Sequence, residues 1–225
     1  MGKITLLPET TKNPVTLIGE RAGVCWGADI NDPKKNYLRG LDCIQSGHGR
    51  TWEFVNIEMV LEGYSARVIR EWYTHIGGAP TRLQASTRYI DYTEFPFITP
   101  PSVLQNPDAK AVYNHVMETI QSGCALLEEK GIPREDVAYL LPLGMETVVV
   151  DKRNIRNFID MSRNRLCSRA LWEFRDLMND ILKALADYSD EWCYICTTQM
   201  MPKCEALGYC PEKNCCGRMP REGEI

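Results

Sequence analysis

The sequence has no apolar run approaching the ~20 residues that a membrane-spanning helix needs, which excludes the reading of an integral helical membrane protein. It also lacks an excess of basic charge. Lys and Arg number 26 against 30 Asp and Glu, a formal net charge of −4, and a protein held on a polyanion by electrostatics is normally basic. Histidine is scarce, at three residues, and no pair has the spacing of a zinc motif. The opening Met-Gly-Lys-Ile-Thr-Leu-Leu-Pro lacks the apolar core and cleavage site of a secretory leader. Leu6 stands where a myristoylation signal needs Ser or Thr, so the expected compartment is the cytosol. Internal repeats and low-complexity linkers are absent as well. What is present is an ordinary globular mix, 44% hydrophobic and 25% charged over 225 residues. That is enough for one large domain, or a core with a small appendage.

Cysteine is the residue in excess. Of ten, Cys25, Cys43, Cys124 and Cys167 are scattered, while six fall between Cys193 and Cys216. A disulfide scaffold would spread its staples through a smaller chain. The expected organisation is therefore a self-sufficient body over residues 1–190 and a cysteine-rich tail over 191–225. Cys193-x-x-Cys196, followed by Cys204 and Cys210, suits a structural zinc, but the later spacings fit no standard zinc ribbon. Packed free thiols and disulfide or redox-active pairs stand as alternatives.

Hydrophobic patterning places a short opening strand at Ile4–Leu7 and leaves residues 10–50 unassigned. It gives partial strand alternation from Glu53 to Val60 with a break at Gly63-Tyr64-Ser65, and helix or strand from Arg67 to His75. Thr87–Tyr92 reads as extended. A long helix is expected from Asp108 to Lys130, with Ala109, Val112, Val116, Ile120 and Ala125 as its apolar stripe and Gly131 as its stop. Pro133 opens a short helix, and Leu143–Val150 is a strand. Asp151 then caps a helix running to about Asp187.

Two segments point to chemistry. On the last helix, Asn154 and Arg165 are eleven residues apart, about three turns, and share one face. Arg156 and Asp160 lie on other sides. One reading is a solvated surface with Asp160 pairing Arg156 or Arg163. The other is an arginine line for phosphates, whose paired oxygens match a guanidinium. In the stretch Gly77–Tyr89, two glycines allow a close backbone approach, Arg82, Ser86, Thr87 and Arg88 offer cations and hydroxyls, and Gln84 can bond a base edge. It is neither a Walker A nor a GxGxxG motif, and a hairpin loop with a basic rim is the alternative. His115, in the middle of the long helix, is read as structural.

Three ordered blocks across residues 3–190 resemble the flavin-dependent thymidylate synthases, the ThyX family. The first is Gly47-His48-Gly49-Arg50-Thr51-Trp52-Glu53 with Gly63-Tyr64-Ser65. The second is Glu71-Trp72-Tyr73-Thr74-His75 with Arg82 to Tyr89, similar to an Arg-His-Arg signature followed by Ser-x-Arg-Tyr. The third is Leu141-Pro142-Leu143, then Asn154-Ile155-Arg156, Arg165, Ala170 and Trp172-Glu173. The chain departs from the pattern at Thr74 and Ile76, which replace both arginines of the signature. It also departs at Phe54, Glu71, Tyr139 and Asp160.

The resemblance implies an α+β fold, a twisted and mainly antiparallel sheet flanked by long helices, assembled as a homotetramer with shared active sites. It implies methylation of dUMP to dTMP, with FAD as cofactor and with methylenetetrahydrofolate and NADPH as co-substrates. Arg165 would polarise the uracil carbonyls as the catalytic residue. Glu71, Thr74, Gln84, Ala85, Ser86, Thr87, Arg88 and Arg165 would hold dUMP. Asn56, Thr74, His75, Ile76, Arg82, Gln84, Asn154, Arg156 and Asp160 would hold FAD. No protein nucleophile is required, so none of the cysteines need be catalytic. The lost arginines at 74 and 76 keep two rivals in view: modification of another pyrimidine nucleotide, and a non-catalytic flavin- or nucleotide-binding relative.

Overall fold

Proline in the first turn starts both helices of the segment that patterning leaves unassigned. The computed structural model describes residues 2–224. After β1 (Lys3–Leu6), Pro14 opens α1 (Pro14–Cys25) and Pro33 opens α2 (Pro33–Gln45). Proline has no N–H, and the first turn of a helix has no use for one. The Asp32 side chain caps α2 by accepting from the N–H groups of Lys34 and Lys35. α1 and α2 meet backbone to backbone. A Cβ on Gly19 would sit 1.8 Å from the Asn36 carbonyl oxygen, and one on Gly40 would sit 2.0 Å from that of Val15.

A 3-10 segment (Gly49–Phe54) leads into β2 (Asn56–Ser65), which runs through Gly63 rather than breaking there; Gly63 takes a φ of 71° inside the strand. The Ser65 hydroxyl then caps α3 (Ala66–Trp72), which settles the 67–75 ambiguity as helix. β3 (Thr81–Gln84), α4 (Pro101–Leu104), α5 (Pro107–Glu129) and α6 (Arg134–Val137) follow. Thr87–Tyr92 is not extended: the N–H groups of Tyr89 and Ile90 both turn back to the Ser86 carbonyl.

β4 spans Glu146–Asn154, so the strand runs four residues past Val150 and Asp151 lies inside it rather than capping a helix. The cap is Asn154, whose Oδ1 accepts from the Asn157 N–H at 2.9 Å. The single helix expected to Asp187 is two helices, α7 (Ile155–Arg165) and α8 (Trp172–Tyr188). The Arg175 guanidinium holds the intervening loop by donating to the carbonyls of Ser168 and Ala170. α9 (Asp190–Thr198) and α10 (Lys203–Leu207) lie in the tail.

The strands hydrogen-bond in the order β1-β2-β4-β3. β2 and β4 are antiparallel: the Ile155 N–H bonds to Val55 at one end, and that of Ala66 to Met145 at the other. This is the α+β class expected, with a small sheet.

The described chain divides into two compact units. The first consists chiefly of Leu61–Thr74 and Leu83–Val149. Its core gathers Phe95, Met117 and Met145, with Tyr113 and Ile120 of α5 packed beside them. α5 therefore buries the face of Met117 and Cys124; of the expected stripe Ile120 packs beside that core, while Val112 is 65% and Val116 48% exposed. The second unit comprises Lys3–Val60, His75–Arg82 and the chain from Val150 onward, so the tail is part of it. Val15 and Ile18 of α1, Ile57 and Met59 of β2, Phe158 of α7, and Leu177 and Ile181 of α8 are buried in its core. Each such side chain contributes ~1.5–3 kcal/mol of burial.

Candidate functional site

In the second unit, segments far apart in sequence converge on α7. At its N-terminus the Arg156 Nη1 meets Glu53 Oε1 of the 3-10 segment at 2.5 Å, with Gly49 beside the Arg156 guanidinium. The Gly77-Gly78 turn lies against the same end. A Cβ on Gly78 would come within 2.2 Å of the Asn154 amide and one on Gly77 within 3.2 Å of that of Asn157, so glycine permits the approach. The helix dipole at this end, with the Arg156 guanidinium beside it, forms an anion-favouring end.

At the other end, the Arg165 Nε–H donates to His75 Nε2 at 2.9 Å. Residues 75–78 therefore run along α7, and Asn154 and Arg165 share a face as the spacing predicts. Phe174 of α8 holds both partners, with its ring 4.7 Å from the Arg165 guanidinium carbon and edge-on to the His75 ring at 5.8 Å. Burial, and then the charges of Arg165 and Arg153, lower the His75 pKa to about 4. His75 is thus a neutral imidazole with its proton on Nδ1, an acceptor that fixes how Arg165 points.

Beneath these groups lies a pair that patterning missed. Asp151 and Arg153 are two residues apart on the inward face of β4, both side chains fully buried. Arg153 Nε and Nη2 donate to the two Asp151 oxygens at 2.6 and 2.7 Å, and its Nη1 donates to Asn157 Oδ1 at 2.8 Å. The signal was present as opposite charges at i and i+2 in a strand whose other inward residues, Thr147 and Val149, are uncharged. Reading Asp151 as a cap concealed it.

The remaining candidates fall apart along the chain. β3 interrupts the stretch Gly77–Tyr89, which is not one loop. In the first unit, the Ser86 hydroxyl accepts from the Arg88 N–H, Arg88 pairs with Glu135 at 3.2 Å on the surface, and Gln84 donates to the Thr147 hydroxyl. The Ala85 N–H bonds to Val148, and the Thr74 hydroxyl closes the end of α3 on the Glu71 carbonyl. In the second unit, Asn56 donates to the Phe54 carbonyl and Ile76 is exposed. Asp160 pairs with Arg163 at 3.9 Å, the helical-spacing reading, while Arg156 pairs with Glu53 instead. His115 is exposed on α5 and takes no part in the core.

The tail cysteines Cys193, Cys196, Cys204 and Cys210 are not gathered into a zinc set. Among the described residues no three His, Cys, Asp or Glu side chains are grouped to hold a metal, and all ten cysteines are free thiols. One turn of α9 leaves Cys193 exposed and turns Cys196 inward onto the Met200 sulfur at 3.9 Å. Burial, with the neighbouring Cys193, raises the Cys196 thiol to about 12, so it packs as a small apolar group.

The fold has solved counterparts. The crystal structure of ThyX from Helicobacter pylori with FAD and dUMP matches 88% of this chain and 100% of its own, with a TM-score of 0.67 and 19% identity. That of the UMP/dUMP methylase PolB from Streptomyces cacaoi, bound with 5-Br dUMP, matches 89% and 96%, with a TM-score of 0.70 and 17% identity. At such identities the architecture is what is shared. Sequence carries the relationship further. The flavin-dependent thymidylate synthase of Nitratidesulfovibrio vulgaris is 31% identical over 187 residues, 79% of this chain and 74% of its own. That of Pyrococcus furiosus is 29% identical over 232 residues, covering 95% of this chain and 91% of its own. The family described as thymidylate synthase complementing protein matches residues 6–188, and the chain belongs to that family.

Proposed function

We propose that this chain is a flavin-dependent thymidylate synthase: an enzyme that reductively methylates dUMP to dTMP, with methylenetetrahydrofolate as carbon donor and NADPH as reductant. The observation that carries this reading is the convergence of the three family blocks on α7. Glu53 comes from the first, His75 from the second, and Asn154, Arg156 and Arg165 from the third.

The residues fit a dinucleotide flavin. The exposed Arg156 and the N-terminal dipole of α7 favour a diphosphate, and Gly77-Gly78 lets the backbone approach it. Asn154, Arg156 and His75 would hold FAD; Asn56, Thr74, Ile76, Arg82, Gln84 and Asp160 are the further contacts that the family resemblance implies. When bound, FAD supplies the redox and one-carbon relay chemistry that no side chain can perform. Arg165 would meet the uracil carbonyls, its fixed charge favouring the electron-rich ring that forms as C5 attacks. His75, kept neutral, would hold that guanidinium in place without repelling it. Ser86, Thr87 and Arg88, with Glu71, Gln84 and Ala85, would bind the phosphate and sugar of dUMP. On this reading residues 1–190 carry the chemistry, as a cytosolic homotetramer. The apolar face of α5 left exposed at Val112 and Val116 supports assembly with further copies.

Thr74 and Ile76, standing where the signature has arginines, favour one second reading, a different pyrimidine nucleotide as acceptor. Incubation of the pure chain with FAD, NADPH, methylenetetrahydrofolate and dUMP, in parallel with UMP and dCMP, separates the two by product analysis. dTMP formation is expected. A methylated product from UMP or dCMP alone would move the assignment to the second reading. No product and no flavin bound would end both.

A further inference from the structure

The C-terminal tail, the end of α7 and the loop that follows it line an open cavity of about 240 Å³. Five cationic side chains line it, Arg163, Arg165, Arg169, Lys203 and Arg218, against a single acid, Glu212. Arg163 pairs with Asp160, Arg169 with Glu212, and Arg218 with Glu205. These pairs are solvent-facing, and such pairs are worth only ~0–1 kcal/mol. The Lys203 side chain is exposed, and the Arg163 Nε is buried without a hydrogen-bond partner. A concave wall with an excess of one sign of charge concentrates counter-ions of the other.

The rest of the lining narrows the ligand. Thiols, Ser168, Ala170, two asparagines and two prolines complete it, and no aromatic ring is among them, so the cavity offers no face on which a base could stack. The volume is below the ~300–1,000 Å³ of pockets that enclose a whole drug-sized ligand. It suits a charged fragment, and guanidinium forks match phosphoryl oxygens in pairs.

We propose that the tail-lined cavity is a binding site for a diphosphate or polyphosphate group, separate from the flavin end of α7 and adjoining Arg165. The tail supplies Lys203 and Arg218, and the loop after α7 supplies Arg169. The binding claim does not depend on the reaction proposed above.

Isothermal titration of the full chain with inorganic pyrophosphate tests it, with FAD and dUMP present at saturation so that the reaction site is filled. Citrate, matched in charge and ionic strength, serves as the carboxylate arm. One saturable pyrophosphate site per chain is expected, weakening steeply as salt is raised. Lys203→Ala should lower the affinity ten- to a hundredfold, the effect of losing one charge-assisted contact of ~1.5–3 kcal/mol. Arg134→Ala, a cation of the other unit, should leave it unchanged. Lys203 is exposed, so its variant keeps the fold, and Lys203→Glu gives a second reading in which binding is lost. Three results would overturn the proposal: no saturable binding, binding unaltered in both Lys203 variants, or citrate binding as tightly as pyrophosphate. A chain that binds pyrophosphate yet makes no dTMP would leave this site standing and remove the reaction instead.

Discussion

Arg165 and His75 are ninety residues apart and join in one hydrogen bond. That contact separates two accounts of the arginine. A surface arginine paired along its own helix would contribute ~0–1 kcal/mol, and its removal would leave turnover near normal. An arginine oriented by a neutral imidazole and a phenyl ring toward a substrate carbonyl should matter far more. Arg165→Ala is expected to fold and bind FAD but to lose ~100-fold or more in dTMP formation. Arg165→Lys should not recover it, because lysine lacks the planar fork. Turnover within a few-fold of wild type in either variant would remove the catalytic role. His75 yields a pH prediction. Its folded pKa of about 4 lies below the ordinary 6.5. Between those values the unfolded chain takes up a proton that the folded chain does not, so stability should fall as pH drops from 6.5 toward 4 and level off below. His75→Gln, which keeps an acceptor, should flatten that part of the profile in chemical-denaturation curves. An unchanged slope would mean that other groups carry the acid sensitivity. Spacing within one helix was legible at this scale, and it placed Asn154 and Arg165 on a common face. The partner from the 75–78 segment was not, since no local pattern encodes a contact across ninety residues.

Among the elements, β4 was misread most instructively. Its β-branched run at Thr147–Val150 announced a strand, yet Val148 and Val150 are 39% exposed while Asp151 and Arg153 are buried. The alternation was intact, and only the identity of the inward residues defied expectation, because a bidentate pair makes burial of two charges tolerable. Asp151→Ala would leave the Arg153 guanidinium buried without its counter-charge and should cost ~3–5 kcal/mol. Replacing both, as Asp151→Leu with Arg153→Met, should recover most of that loss. A melting temperature as low as that of the single variant would show that the pair contributes through more than charge balance. The α1–α2 crossing was illegible for another reason: Gly19 and Gly40 look like helix weakeners in sequence. In the fold each occupies a point where a methyl group would strike a carbonyl oxygen about 2 Å away. Gly19→Ala, normally favourable in a helix by ~0.5–1 kcal/mol, should instead destabilise by ~1–3 kcal/mol through overpacking. A neutral or stabilising result would mean that the two helices separate at little cost.

At the scale of the whole molecule, the helical period of α5 was legible and its buried face only in part, at Ile120. Ala109, Val112 and Val116 continue the helical spacing from Ile120 as well as Tyr113, Met117 and Cys124 do, and a single chain can bury only one of the two sets. The structure buries the second and leaves Val112 and Val116 exposed, with Leu126 of the same helix 54% exposed. Isolated exposed apolar residues need no explanation, but several along one helix of 23 residues form a surface suited to another protein. The ThyX resemblance implies four copies with shared sites, so the occupant to test first is a second copy of this chain. Sedimentation of the purified protein is expected to give four times the chain mass at micromolar concentration. Val112→Glu combined with Val116→Glu places charge on the stripe without touching the core of Phe95, Met117 and Met145. The monomer fold should therefore survive, by circular dichroism, while the assembly falls to smaller species. If the sites are shared, dTMP formation should be lost with it, although neither valine is among the residues proposed to bind dUMP or FAD. A tetramer that persists in the double variant would place the contact elsewhere on the chain. A wild-type monomer with full turnover would show that one copy holds a complete site, and the spread of binding groups along the sequence would then have to be explained within a single chain.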